Sequence, residues 1–77
     1  MIVLFHRVAD PDCATVRRRV VELGLKPRVD FHNVDTDGAA SFSEAGGRGV
    51  PALWDGRRLV EGRDAVLDAL AELALVP

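Results

Sequence analysis

The fold is decided by the stretch IVLFHRVADPDCATVRRRVVELG, residues 2–24, which predicts a strand, a turn and a helix in that order. Residues 2–6 form a short apolar run, the pattern of a strand buried on both faces of a sheet. The turn contains Asp-Pro-Asp, and proline is well tolerated in the first turn of a helix. The helix is predicted over residues 12–23, where apolar residues recur at the spacing of one helical face. These residues are Cys13, Val16, Val20 and Leu23.

A second strand follows the first helix. Gly24 ends that helix, and Pro27 prevents its continuation. Residues 28–35 begin with alternating apolar and polar side chains, which predicts a strand. Because a helix separates the two strands, we expect them to be parallel and joined in a right-handed βαβ unit.

The second half of the chain predicts shorter elements. Residues 36–49 carry the weakest pattern, because glycines interrupt it. The predicted elements are a short helix over 39–45, a strand over 50–54, a hairpin turn at Asp55-Gly56, a return strand over 57–60 and a helix over 63–74. The order β-α-β-α-β-β-α predicts an α/β fold, a four-stranded mixed sheet with helices on its faces, in one domain over residues 1–77.

The composition excludes several classes of protein. A chain of 77 residues with 48% hydrophobic and 29% charged residues is a folded globule rather than a disordered segment. No apolar run approaches the roughly 18 residues of a membrane span. Ten basic residues against twelve acidic ones argue against a nucleic-acid partner. We expect Arg17, Arg18 and Arg19, which point in diverging directions from a helix, to form a solvated surface.

Cysteine and histidine are too few for a disulfide or a metal site. Cys13 is the only cysteine, so no disulfide can form within the chain. His6 and His32 could lie near one another on adjacent strands, but no third ligand stands at a suitable spacing, and no metal is expected. No export signal precedes the first strand, so we expect a cytoplasmic protein with a free thiol.

Four local features, in order and spacing, resemble the glutaredoxins of the thioredoxin-fold superfamily over nearly the whole chain. The features are the first strand followed by Asp10-Pro11-Asp12-Cys13, the helix from that turn to Gly24, Gly49-Val50-Pro51 before the hairpin, and Glu61-Gly62-Arg63-Asp64 at the last helix. The last motif is similar to the family's Gly-Gly-(Cys/Ser)-Asp. The resemblance implies a thioredoxin-like fold of the glutaredoxin type.

The active-site turn departs from the family. Glutaredoxins carry Cys-Pro-Tyr-Cys or Cys-Gly-Phe-Ser there, and the first cysteine is the nucleophile. Alignment without a gap puts Asp10 at the position of that nucleophile and Cys13 at that of the resolving cysteine. Because a carboxylate cannot form a mixed disulfide, we expect weak or absent thiol-disulfide oxidoreductase activity.

The surroundings of Asp10 and Cys13 predict structural roles for both residues. A helix N-terminus stabilises a thiolate, but the neighbouring carboxylates raise the pKa of a thiol. Cys13 shares its helical face with Val16, so we expect it to point inward as a small apolar side chain. We expect Asp10 to cap the helix.

The resemblance also implies a groove for glutathione, as ligand or co-substrate, or for an extended thiol-bearing peptide. Arg7 matches a family lysine that contacts a glutathione carboxylate, a role that a guanidinium can fill. Val50 and Pro51 match the cis-proline segment, whose backbone pairs with glutathione like an added strand. Asp64 matches the aspartate that holds the γ-glutamyl amino group, and an early-helix acid favoured by the dipole is an equal alternative. The other binding residues implied by the motifs are Pro11, Gly62 and Arg63.

Three functions remain open from the sequence. The first is a divergent glutaredoxin-like protein that keeps the groove with little or no activity. The second is a non-catalytic interaction module, in which the groove or an exposed sheet edge binds a partner protein. The third is a single-thiol redox enzyme that uses Cys13. No permanently bound cofactor is expected, and a chain this small is expected to be a monomer or a weak dimer.

Overall fold

The structure, a computed structural model, describes residues 1–76. The elements are β1 (Ile2–His6), α1 (Pro11–Glu22), a 3-10 turn (Lys26–Arg28), β2 (Val29–Asn33), α2 (Ala39–Glu44), β3 (Ala52–Trp54), β4 (Leu59–Glu61) and α3 (Arg63–Ala74). The predicted order of elements is confirmed, and α3 occupies the predicted residues. None of the helices within residues 1–76 is long and apolar enough to span a membrane.

The four strands form one mixed sheet in the order β2-β1-β3-β4. β1 pairs in parallel with β2, as the predicted βαβ unit requires, and antiparallel with β3. β3 and β4 pair as an antiparallel hairpin. β1 therefore lies inside the sheet, and Leu4 is opposite both Phe31 of β2 and Leu53 of β3.

One face of the sheet packs against α1 and α3 and forms the larger part of the core. Leu4 and Leu53 point to this face and are at most 1% exposed. The helices contribute Val16 and Val20 from α1 and Val66 and Leu70 from α3. The predicted apolar faces of both helices are therefore the faces that cover the sheet.

The other face of the sheet is covered by α2. Val3 and Phe5 point to this side, and the Phe5 ring packs against the ring of Phe42 with centroids 5.2 Å apart. Gly47 allows this packing, because a Cβ atom there would lie 2.2 Å from Phe42 Cε1. α2 has only six residues, so it leaves an apolar depression of about 450 Å³ that includes Trp54 in its lining.

β3 begins at Ala52 rather than at residue 50, which corrects the predicted strand over 50–54, because Pro51 has no N–H to donate to the sheet. β2 and β4 are also shorter than predicted, because aspartate and asparagine side chains bind the backbone. β2 ends at Asn33, where Asn33 Oδ1 accepts a hydrogen bond from Asp35 N at 2.9 Å and turns the chain. In the hairpin, Asp55 Oδ1 accepts from the N–H groups of Arg57 and Arg58 at 2.9 and 3.0 Å. The turn therefore extends through Arg58, and β4 begins at Leu59.

Arg28 attaches the end of α3 to the segment before β2. Its Nη1 donates to Leu73 O at 3.0 Å and to Val76 O at 2.8 Å, which satisfies carbonyls at the C-terminus of the helix. We expect Arg28→Ala to lower the free energy of unfolding by about 1 kcal/mol. Urea denaturation measures this change. The control is Arg18→Ala, an exposed arginine of α1, for which we expect less than about 0.5 kcal/mol. Equal stability of the two variants would contradict a stabilising role for Arg28.

Candidate functional site

Three segments meet at one end of the sheet. Arg63 Nη1 lies 3.5 Å from Asp12 Oδ1, which links the start of α3 to the start of α1. Gly62 N donates to Pro51 O at 2.9 Å, which links α3 to the loop before β3. A shallow depression of about 390 Å³ lies beside these links, and Asp64 is part of its lining. The structure thus brings together residues from two of the predicted binding motifs and the active-site turn.

Asp10 caps α1, as predicted. Its backbone is extended, and its Oδ2 accepts a hydrogen bond from Cys13 N at 2.8 Å. Hydrogen bonds with the side chain and then the backbone of Cys13 hold the pKa of the Asp10 carboxyl below its ordinary value. An ionised carboxylate therefore stands at the start of α1, where it is favoured by the helix dipole.

Cys13 points into the core, which confirms the inward orientation predicted from its helical face. The side chain is fully buried, and its Sγ accepts a hydrogen bond from Arg7 N at 3.4 Å. Burial raises the pKa of the Cys13 thiol to about 11. The sulfur is therefore protonated at neutral pH and has no access to solvent.

Arg7 is exposed at the start of the turn between β1 and α1. Its Nε lies 3.0 Å from Asp35 Oδ1, and both side chains are more than half exposed. Water screens such a surface pair, so the pair contributes little to stability. A ligand carboxylate would compete with Asp35 for this guanidinium.

Arg17 corrects the prediction that the three arginines of α1 form a solvated surface. Its Nη1 donates to Arg7 O at 3.0 Å, and its Nη2 donates to Val8 O at 3.2 Å. Its Nη1 also lies 3.0 Å from His6 Nδ1. Arg17 therefore fixes the turn in front of α1. The available signal was its place four residues after Cys13, which puts it on the side of α1 that faces this turn.

The two histidines belong to opposite faces of the sheet. In the register of β1 and β2, His6 is opposite Asn33, while His32 is opposite Phe5. Alternation along a strand therefore separates the two imidazoles, which corrects the expectation that they could lie together. Burial, and then the charge of Arg17, lower the pKa of His6. Residues 1–76 contain no group of three metal-ligating side chains close enough to hold an ion.

Val50 and Pro51 form the loop that precedes β3. The peptide bond between them is cis, as the resemblance implied. Pro51 is buried, and its C=O accepts from Gly62 N. The N–H and C=O of Val50 make no backbone hydrogen bond to another residue within 1–76. Val50 therefore has one backbone donor and one backbone acceptor that no residue within 1–76 pairs with.

Glu61 lies in one of the motifs named from the sequence, but it was not among the predicted binding residues. Its Oε2 accepts hydrogen bonds from Arg48 N and Gly49 N, each at 2.8 Å. These two bonds, in that order, lower the pKa of the Glu61 carboxyl. The available signal was the position of Glu61 in the Glu-Gly-Arg-Asp motif, where the similar family motif begins with glycine.

Arg63 stands between two carboxylates. Its Nε lies 3.0 Å from Asp64 Oδ1, in addition to the longer contact with Asp12. Asp64, and then Asp12, raise the pKa of the Arg63 guanidinium. Asp64 and Arg63 together present a negative and a positive group side by side at the start of α3.

Comparison with solved structures agrees with this fold. The crystal structure of a buckwheat glutaredoxin-glutathione complex is similar to this chain with a TM-score of 0.68 and 27% sequence identity. The match covers 99% of this chain and 73% of the buckwheat chain. This chain has a glutaredoxin-like thioredoxin fold. No protein-family model matches the sequence, and no curated protein sequence matches it.

The burial of Cys13 predicts a thiol that does not react in the native glutaredoxin-like fold. A rise of the pKa to about 11 lowers the thiolate fraction at neutral pH by about a hundredfold relative to an ordinary thiol. We expect a thiol reagent at pH 7.5 to label the native chain at least a hundredfold more slowly than the urea-unfolded chain. Absorbance of the released chromophore measures both rates, and Cys13→Ser gives the background. Equal rates in the two states would contradict the burial.

Proposed function

We propose that this chain is a divergent glutaredoxin-like protein that binds glutathione, or an extended thiol-bearing peptide, with weak or absent thiol-disulfide exchange. The observation that carries the proposal is the likeness of nearly the whole chain to a glutaredoxin solved with glutathione. The charges and the unpaired backbone at the end of the sheet are consistent with such a ligand.

The proposed groove matches the chemistry of glutathione group by group. Glutathione carries two carboxylates, one ammonium group and two amide bonds. Arg7 and Arg63 are guanidinium groups suited to the carboxylates. Asp64 would accept hydrogen bonds from the ammonium, and the N–H and C=O of Val50 would pair with the central residue of the ligand. Pro11, Pro51 and Gly62 complete the proposed lining.

The proposal of weak or absent exchange rests on the two residues of the active-site turn. Disulfide exchange needs an accessible thiolate, and a cysteine at a helix N-terminus supplies one in this class of protein. Asp10 has no sulfur, and Cys13 is buried. The buried sulfur also argues against the single-thiol alternative. In the proposed cytoplasmic compartment the chain would hold its ligand without forming a covalent bond to it.

A second candidate function is a protein-interaction module. The unpaired backbone of Val50 favours it, because an extended peptide of a partner protein could pair there without any thiol chemistry. Binding of glutathione itself distinguishes the two candidates.

Glutathione binding is tested by a two-dimensional NMR titration of the reduced chain. We expect the amide signals of Arg7, Val50 and Asp64 to shift, with a Kd in the millimolar range. Asp64→Asn removes a charge-assisted hydrogen bond and should weaken binding about tenfold. Asp68→Asn, one turn further along α3, is the matched control and should bind like the wild type. If 10 mM glutathione shifts none of these signals, the ligand assignment is wrong and the interaction module is favoured.

The assignment of Asp10 to the position of the family's nucleophile is tested by placing a cysteine at residue 10. We expect Asp10→Cys to form an intramolecular disulfide with Cys13 when oxidised glutathione is added, because both sulfur atoms would then stand at the start of α1. Oxidised glutathione accepts the two electrons, and mass spectrometry detects the loss of two hydrogens. The double variant Asp10→Cys, Cys13→Ser is the control and should form only a mixed disulfide with glutathione. An Asp10→Cys chain that forms no internal disulfide would show that Asp10 does not occupy the nucleophile position.

A further inference from the structure

Glu61 connects the edge strand to the loop that carries Val50. It is the last residue of β4 and is paired in register with Ala52 of β3. Its side chain is exposed to solvent, yet one carboxylate oxygen accepts two consecutive backbone N–H groups, those of Arg48 and Gly49. Two converging N–H donors form an anion-binding concavity, and here the anion is supplied by the chain itself.

The loop held by Glu61 is fixed by α2 only at its start, where Gly46 N donates to Ser43 O and Gly47 N donates to Phe42 O. Three of the four residues 46–49 are glycines, which lose the most backbone freedom when they are ordered. At Gly46 and Gly49 no heavy atom lies within 4 Å of the place that a Cβ would occupy, so the loop is open to solvent there. Hydrogen bonds to Glu61 are therefore the main attachment of residues 48 and 49 to the sheet.

The residues on either side of Val50 are held by two consecutive residues, Glu61 at the end of β4 and Gly62 at the cap of α3. Before Val50, the N–H of Gly49 binds Glu61, and after it, the C=O of Pro51 binds the N–H of Gly62. The backbone of Val50 lies between these two anchors and is itself unpaired within residues 1–76. The hydrogen bond after Val50 joins two backbone groups, so it does not depend on a side chain. The hydrogen bond before Val50 uses the side chain of Glu61, so it depends on the identity of residue 61.

We propose that Glu61 is a positioning residue whose carboxylate holds the Val50 backbone ready to pair with an extended ligand. This inference rests on the proposed function, since the ligand that pairs with Val50 is the one proposed above. Glu61 touches no ligand group in this role. It acts through the two amides whose hydrogen bonds it accepts.

The amide signals of Arg48 and Gly49 report directly on the carboxylate. The pKa of the Glu61 carboxyl is lower in the folded chain than in the unfolded chain, so the unfolded chain takes up the proton first. The stabilisation by this contact is therefore lost as the pH falls below 4.5. We expect both amide protons of the wild type to move upfield together as the pH is lowered through that range. In Glu61→Gln this pH dependence should be absent, whereas a residue with only a general structural role would not move these two signals selectively.

Glutathione affinity tests the consequence for the ligand. We expect Glu61→Ala to weaken binding about tenfold, the effect of losing about 1.4 kcal/mol. Glu61→Gln should recover part of this loss, because its amide oxygen still accepts hydrogen bonds. Glu72→Ala, an exposed glutamate near the other end of α3, is the matched control and should bind like the wild type. Should Glu61→Ala fail to fold, Glu61→Gln and the wild-type titration still test the inference.

The outcomes separate this inference from the proposed function. If the wild type binds glutathione and Glu61→Ala binds it equally well, the positioning role is overturned and the proposed function stands. If the two amide signals shift with pH as expected but the wild type binds no glutathione, the proposed function is overturned, and so is the ligand assigned to Val50. If the amides do not respond to pH in the wild type, the contact itself is absent and the inference is wrong.

Discussion

Burial of β1 on both faces is the constraint on which the rest of this structure depends. A chain of 77 residues has a small core, and it gains most of that core by placing β1 inside the sheet. Leu4 then packs under α1 and α3, while Val3 and Phe5 pack on the side of α2. With β1 fixed, the turn that follows it must lie at the end of the sheet, beside the start of α3.

The charges around this turn hold the backbone in place. Asp10 binds the first turn of α1, Arg17 binds the carbonyls of the turn before it, and Glu61 binds the loop before β3. Each of these side chains satisfies backbone groups that no regular element would satisfy. The proposed groove is therefore a set of irregular segments fixed by ionised side chains. The remaining charges, at Arg7, Arg63 and Asp64, are in exposed pairs and would exchange partners with a ligand.

The sequence predicted what depends on local periodicity and missed what depends on distant contacts. The apolar spacing in α1 placed Cys13 in the core, and the Asp-Pro-Asp pattern predicted the cap, because both features are encoded by residues close together in the sequence. The cis bond before Pro51 came from the resemblance, since no local pattern specifies it. Arg17 and Glu61 bind backbone groups 10 and 13 residues away, so the sequence could indicate their positions but not their partners. The ends of β2 and β4 differ from the prediction for a local reason that apolar periodicity does not show, because short polar side chains bind backbone N–H groups two or three residues away.

The burial of the only cysteine has a consequence for how such a protein would respond to its surroundings. Oxidants and electrophiles that modify accessible thiols would leave Cys13 unchanged, because its sulfur is enclosed by the core. Under the proposed function, occupancy of the groove would then follow the amount of glutathione present rather than the balance between its reduced and oxidised forms. Ligand occupancy would then report the concentration of glutathione, and no change of oxidation state in the protein would accompany it.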